Sequence, residues 1–217
     1  AGASMVPGVL ADAPPDSLLI LLPPRGADLV RQDLAAAEAM ENAGNADLVS
    51  AQGRLGEAKA QLNVRRSEIE TIKAKVKLAK EQKNQTEQAD LEQQIKAKEL
   101  QVKVLEARAE MRSAEIDLAE ARRKGAQTRS GFCKKELELL GKREDLVKMN
   151  AARAGAGNLD GLVRLQIEIR DLERRGLEIL KEVAERDKNA AENESSLLGK
   201  RLKLFEGQLA FLTGYQK

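Results

Sequence analysis

The sequence predicts an all-α protein, an elongated antiparallel bundle of three coiled-coil segments with a protruding helical hairpin tip and bends along its length. Composition is the first reason. Charged residues make up 33% and aromatics 2%, Trp is absent, and Ala, Glu, Lys, Leu, Arg and Gln dominate, as in long helices. Proline placement is the second. All 5 prolines precede Arg25, so nothing from there to Lys217 carries the ~3 kcal/mol that proline costs in a helix interior. The third is a heptad rhythm of apolar residues, the mark of helices packed along a seam.

Residues 1–26 form an extended, proline-rich segment, and residues 27–217 a single helical bundle. Within the first, Pro14-Pro15 and Pro23-Pro24 bracket five aliphatic residues: Leu18, Leu19, Ile20, Leu21 and Leu22. The run falls far short of the ~20 apolar residues that span a bilayer. No second strand-like run exists to pair with it, and flanking prolines favour extended geometry. It reads as an N-terminal clip. Counting levels along the bundle puts it beside residues 148–152, over an apolar end formed by Leu146, Val147, Leu159, Leu162 and Val163. The opening AGASMVPGV lacks the basic-then-apolar order of a signal peptide. Ala1 to Ser4, ahead of Met5, read as a cloning remnant. Compartment stays open between cytoplasmic and exported.

The first helix is expected over about 27–83, capped by Asp28 and bent near 43–46, where Glu41-Asn42-Ala43-Gly44-Asn45 weakens the pattern. Leu48, Leu55, Leu62, Ile69 and Val76 recur every seventh residue, and Ala51, Ala58, Arg65, Ile72 and Ala79 follow each by three. Residues 80–88 contain no aliphatic side chain, and a reversal near Gln85 is preferred to one continuous helix. Facing residue numbers then sum to about 170, setting Ala79 against Leu91 and Val76 against Ile95. Asn84 is expected in the left-handed conformation after the first helix, and Thr86 as the cap of the next, with Glu87 and Asp90 near its positive end.

The second helix is expected over about 87–152. Its seam of Leu91, Ile95, Val102, Leu105, Ala109 and Ile116 is joined by another of Leu100, Val104, Ala107, Met111, Ala114, Leu118 and Ala121. Two apolar faces imply two packing partners. Arg122-Arg123-Lys124-Gly125 resembles a helix stop, and a bend is placed at 125–131. Residues 151–161, AARAGAGNLDG, form the strongest turn. The third helix, about 159–214, repeats Leu162, Ile169, Gly176, Val183, Ala190, Leu197, Leu204 and Phe211. Leu198, Leu202, Phe205, Leu209 and Leu212 are read as widening that seam. Gly44, residue 126 and Arg186 fall at one level, which suggests a hinge.

The catalytic inventory is empty. Without His there is no imidazole base, no Ser-His pair and no His-containing metal site. One Cys cannot build a structural zinc site, and no glycine-rich phosphate loop is present. No catalytic, metal or cofactor-binding residue is therefore assigned. Carboxylates sit at helical charge-pair spacing, as in Glu70 with Lys73. Cys133, before Lys134 and Lys135, reads as a small buried residue rather than a reactive thiol. Arg65, Arg186 and Asn193 interrupt the seams and read as register-setting.

The expected function is that of a non-enzymatic structural or adaptor protein acting through protein–protein interaction or self-assembly, with a homodimer expected and no small-molecule substrate. Three long antiparallel helices in about 190 residues resemble the BAR-domain architecture in element count and length. That resemblance implies a dimer binding anionic membrane surfaces, for which Arg122, Arg123, Lys124, Arg129, Lys134 and Lys135 supply a basic surface. A third reading is an envelope protein whose tip, at Asn84, Gln85 and Thr86, docks another helical partner, as the hairpins of periplasmic adaptor proteins do. Net charge of +2 and the lack of aromatics among the basic residues disfavour nucleic acid.

Overall fold

A computed structural model describes residues 20–152 and 159–215. Among them there are three helices and no strand: α1, Ala27–Glu81; α2, Gln85–Ala152; and α3, Leu159–Tyr215. The chain is an all-α bundle of three long helices. Contacts group it into two compact units, and each helix contributes to both. One unit holds the described residues of Ala1–Asn42 and Lys124–Asp187, the other those of Ala43–Arg123 and Lys188–Lys217. These boundaries fall beside Gly44, residue 126 and Arg186, the three places where the seams weaken.

In the first unit, Leu22, Leu139, Leu165, Ile169 and Leu172 form the core, flanked by Phe132, Leu146, Met149 and Leu177. Two buried carboxylates border it. Glu136 takes a two-pronged hydrogen bond from Arg25, at 2.8 Å from Nε and 2.5 Å from Nη2, while Arg25 Nη1 reaches Asp33 at 2.5 Å. Glu173 accepts from Arg143 (3.2 Å) and Arg170 (2.9 Å). Planar guanidinium groups suit such sites because they satisfy both carboxylate oxygens, and without partners the buried charges would be costly.

The second unit contains the hairpin. Glu68–Lys98 (2.7 Å), Arg54–Glu115 (3.3 Å) and Arg66–Glu106 (3.0 Å) tie α1 to α2. Their residue numbers sum to about 170, and Ile72, Val76, Ala79 and Leu91 share one cluster with Ile95 against it. The reversal and its register are as the heptads require. The second face of α2 also has its partner: Ala107, Met111, Ala114 and Leu118 pack with Leu197 and Leu204 of α3.

The reversal itself differs from expectation. Lys83, not Asn84, adopts the left-handed conformation, with φ of 56°. The Asn84 N–H donates to the Ala79 carbonyl (2.9 Å) and the Lys83 N–H to that of Lys80 (3.1 Å). These bonds satisfy the last carbonyls of α1 in a Schellman arrangement. Asn84, not Thr86, caps α2: its Oδ1 accepts from the Glu87 N–H and its Nδ2 donates to the Glu87 carboxylate, both at 3.1 Å. Asn84 closes one helix with its backbone and opens the next with its side chain. Two-residue economy forces the left-handed turn onto the preceding lysine.

Two further expectations change, the Asp28 cap and the Gly125 stop. Asp28 does not cap α1; Gly26 supplies the first carbonyl, accepting from the Val30 N–H at 3.0 Å, and Asp28 pairs with Arg31 at 3.3 Å. Helical structure runs unbroken through 43–46 and through 125–131, so Gly125 is no helix stop. Gly44 instead permits close approach: an added Cβ would lie 3.1 Å from Arg123 Cβ and 3.2 Å from its Cα. A glycine inside a helix can serve packing rather than termination.

Candidate functional site

The proposed clip divides. Leu18 and Leu19 lie outside the described residues. Ile20 and Leu21 are exposed, whereas Leu22 is buried among Leu139, Leu165, Ile169 and Leu172. Arg143 holds the Leu22 carbonyl at 2.9 Å, and the missing side chain of Gly176 makes room: a Cβ there would stand 2.6 Å from Leu22 Cδ2. The contact is therefore centred on Leu139 and residues 165–172, with Leu146 and Met149 at its border rather than at its centre. Val147 and Leu159, both expected beneath the segment, are exposed. Level counting assumed that the chain runs straight on from α1; it bends at Leu21 and Leu22, and Arg25 is fastened to Glu136.

At the tip, Asn84, Gln85 and Thr86 are all exposed, with the Asn84 side chain engaged in capping. The basic residues fall in both units. Arg122 and Arg123 belong to the second, where they pair with Glu194 (3.9 Å) and Glu120 (3.8 Å). Lys124, Arg129, Lys134 and Lys135 belong to the first, where Arg129 pairs with Asp187 at 2.5 Å and Lys135 with Glu138 at 2.9 Å. Lys134 is exposed. Most of the stretch is thus engaged with carboxylates on its own or a neighbouring helix.

Perturbed titrations follow the same structural logic. The hydrogen bond from Lys98 holds Glu68 below the usual carboxylate range, and those from Lys203 and Lys200 do so for Glu110. Arg174 lowers Asp171 likewise. Burial pushes the Cys133 thiol up, so it stays protonated and weakly nucleophilic. Among the described residues no group of three or more Cys, Asp or Glu is placed to hold a metal ion. No helix there is long and apolar enough to cross a membrane. An open groove of about 500 Å³ in the second unit is lined by Val64, Val104, Leu105 and Phe211, among others, without a cluster of reactive groups.

One surface of α3 differs from the sequence expectation. Leu198, Leu202, Phe205, Leu209 and Leu212 do not widen the buried seam of α3. They are 56%, 59%, 56%, 48% and 61% exposed, while Leu197 and Leu204, one position away from two of them, are buried against α2. The C-terminal part of α3 is therefore apolar on two faces, of which only one is covered by described residues. The signal was available: the five recur at intervals of four, three, four and three, a complete seam in itself. No family model matches the chain, and no curated protein matches it.

Proposed function

We propose that the protein is a non-enzymatic scaffold or adaptor that engages other polypeptides through helix-to-helix contact. The observation that carries this reading is the exposed heptad stripe from Leu198 to Leu212. A stripe at heptad spacing fits another helix rather than a flat or globular surface, because only a helix presents knobs at the matching interval. Other features are consistent with it: several ion pairs, such as Glu68–Lys98 and Arg129–Asp187, join one helix to another, and the one thiol is buried and protonated.

Affinity capture with chemical cross-linking on the full chain tests it, using Leu202→Glu with Leu209→Glu as the comparison. The unaltered chain should make defined protein contacts, with itself or with others, that the variant loses. Identical contacts for both, or none for either, would sink the reading. A second reading is docking through the tip, favoured by the exposure of Gln85 and Thr86. Replacing both with Glu should then abolish partner capture, and retained capture argues against it. Membrane-surface binding draws less support, since Arg122, Arg123, Arg129 and Lys135 are paired with carboxylates. Failure to co-sediment with anionic vesicles at low salt removes it.

A further inference from the structure

The exposed stripe on α3 also carries information about orientation. Its spacing assigns Leu202 and Leu209 to heptad position a, and Leu198, Phe205 and Leu212 to position d. The flanking g positions are then Glu194, Arg201 and Gln208, and the flanking e positions Gly199, Glu206 and Thr213. Arg201 and Glu206 are exposed and make no ion pair among the described residues. Lys200 and Lys203, on the same helix but away from the stripe, both bond Glu110, at 3.4 and 3.0 Å. The two unpaired charges of opposite sign are the ones that border the seam.

We propose that the stripe pairs with the same stripe on a second copy of the chain, the two α3 helices running parallel and in register. This rests on the reading above that the stripe binds a helix. In a parallel pair, a g residue meets the e residue of the following heptad on the other helix. Arg201 then meets Glu206 of the second copy, and two-fold symmetry repeats the pair on the other side. Antiparallel pairing brings g to g and e to e. Arg201 would meet Gln208 there, and Glu206 would meet Gly199 or another Glu206, so no opposite charges are joined. Charge complementarity selects the parallel arrangement.

The sequence also sets the limit of the contact. Towards the N-terminus the stripe passes through Ser195 and Ala191 to Lys188, whose ammonium would face its own copy across the seam. The apolar contact ends before that point. Because Leu197 and Leu204 already hold this part of α3 against α2, association orders side chains but need not fold a helix. A seam this short can therefore hold two copies together where two isolated peptides of the same length would stay unfolded.

Light scattering and sedimentation of the full chain provide the test. A dimer is expected at micromolar concentration, and Leu202→Glu with Leu209→Glu should be monomeric with an unchanged helical circular dichroism spectrum, because both side chains are exposed. Arg201→Glu alone and Glu206→Arg alone should each weaken the dimer by about tenfold or more, and combining the two should restore it. Orientation is read with Leu198→Cys in a Cys133→Ser background. In a parallel pair the two introduced thiols face each other and oxidise to a cross-linked dimer. In an antiparallel pair they stand roughly ten residues apart along the helix, ~15 Å, and do not. A chain that stays monomeric to roughly 100 µM overturns the proposal, while capture of a different protein through the same stripe would leave the scaffold reading standing. A dimer indifferent to the Leu202 and Leu209 changes overturns it as well. So does a dimer that depends on them but shows neither charge rescue nor the cross-link, including one in which the chain's own N-terminal residues cover the stripe.

Discussion

Around Leu139 the first unit is built from large side chains. Leu22 enters from the segment ahead of α1, Leu165, Ile169 and Leu172 come from α3, and two buried carboxylates are clamped by arginines. The hairpin of the second unit interleaves Leu62, Ile69, Ile72, Val76 and Leu91 with small residues. Ala51, Ala58 and Ala79 are buried there, Gly44 lets α1 approach Arg123, and the tying ion pairs are solvent-exposed or half-buried. Both regions obey one heptad rule. The comparison teaches that periodicity fixes which residues face inward, while side-chain volume decides how strongly that inward face holds. Burying an aliphatic side chain contributes about 1.5–3 kcal/mol, and a methyl group far less.

The sharpest test of this contrast is truncation of its heaviest member. Leu139→Ala, at 2% exposure and with large neighbours on several sides, should cost about 2–5 kcal/mol in guanidinium denaturation. Leu91→Ala, at 7% exposure in the two-helix hairpin, should cost less, and equal losses would break the comparison. Next in size are the ion pairs. Glu136→Gln should lower stability by ~1–3 kcal/mol, since the carboxylate is buried while Arg25 is partly in water. Arg66→Ala, which removes an exposed pair with Glu106, should produce no measurable change.

Glycines offer a third test, in which the sign matters more than the size. Gly44→Ala should destabilise by about 1 kcal/mol or more, because its Cβ meets the Arg123 backbone. Gly53→Ala and Gly56→Ala have open space around them and should each stabilise α1 by roughly 0.5–1 kcal/mol through helix propensity. Thermal melts would separate the two outcomes. At the tip, Lys83→Gly should stabilise the turn by about 1 kcal/mol, since glycine has no Cβ to oppose the left-handed backbone.

The smallest effect is that of pH. Glu68 and Glu110 have folded pKa values lowered from 4.5 by their lysine partners. A depressed carboxylate adds stability that is present above its unfolded pKa and is lost as pH falls through the folded value. The melting temperature should therefore drop below about pH 4.5, and Glu110→Gln should make that drop smaller. High salt should shrink the difference, because Glu110 is exposed and Glu68 only half-buried.

Much of the fold was legible because it is local and repetitive. Leu62, Ile69, Val76, Ala51, Ala58, Ile72 and Ala79, picked out by heptad spacing, are all buried, and the α1–α2 register follows from them. The caps were less legible. Asp28 and Thr86 have the composition of N-caps, but Gly26 and Asn84 hold those positions, because the chain entering each helix decides which carbonyl begins its ladder. The apparent stop at Gly125 is a buried residue inside a continuous helix, where an added Cβ would make only an ordinary 3.8 Å contact with Arg186 Cβ. The position of Leu22 could not be counted, because a bend and two arginine hydrogen bonds redirect the segment.

Sequence alone determined that the chain is helical, that it reverses between α1 and α2, and that α2 presents two apolar faces. Each of these depends on spacing along a single chain. Which stripe of α3 would be covered was settled only by tertiary structure. Leu197, Leu204 and Phe211 differ from Leu198, Phe205 and Leu212 by one residue, so both series are apolar at intervals of seven. One residue is about 100° of helix rotation, enough to turn a series from a neighbour towards solvent. Packing against Ala107, Met111, Ala114 and Leu118 selected the first series, and so left the second facing outward.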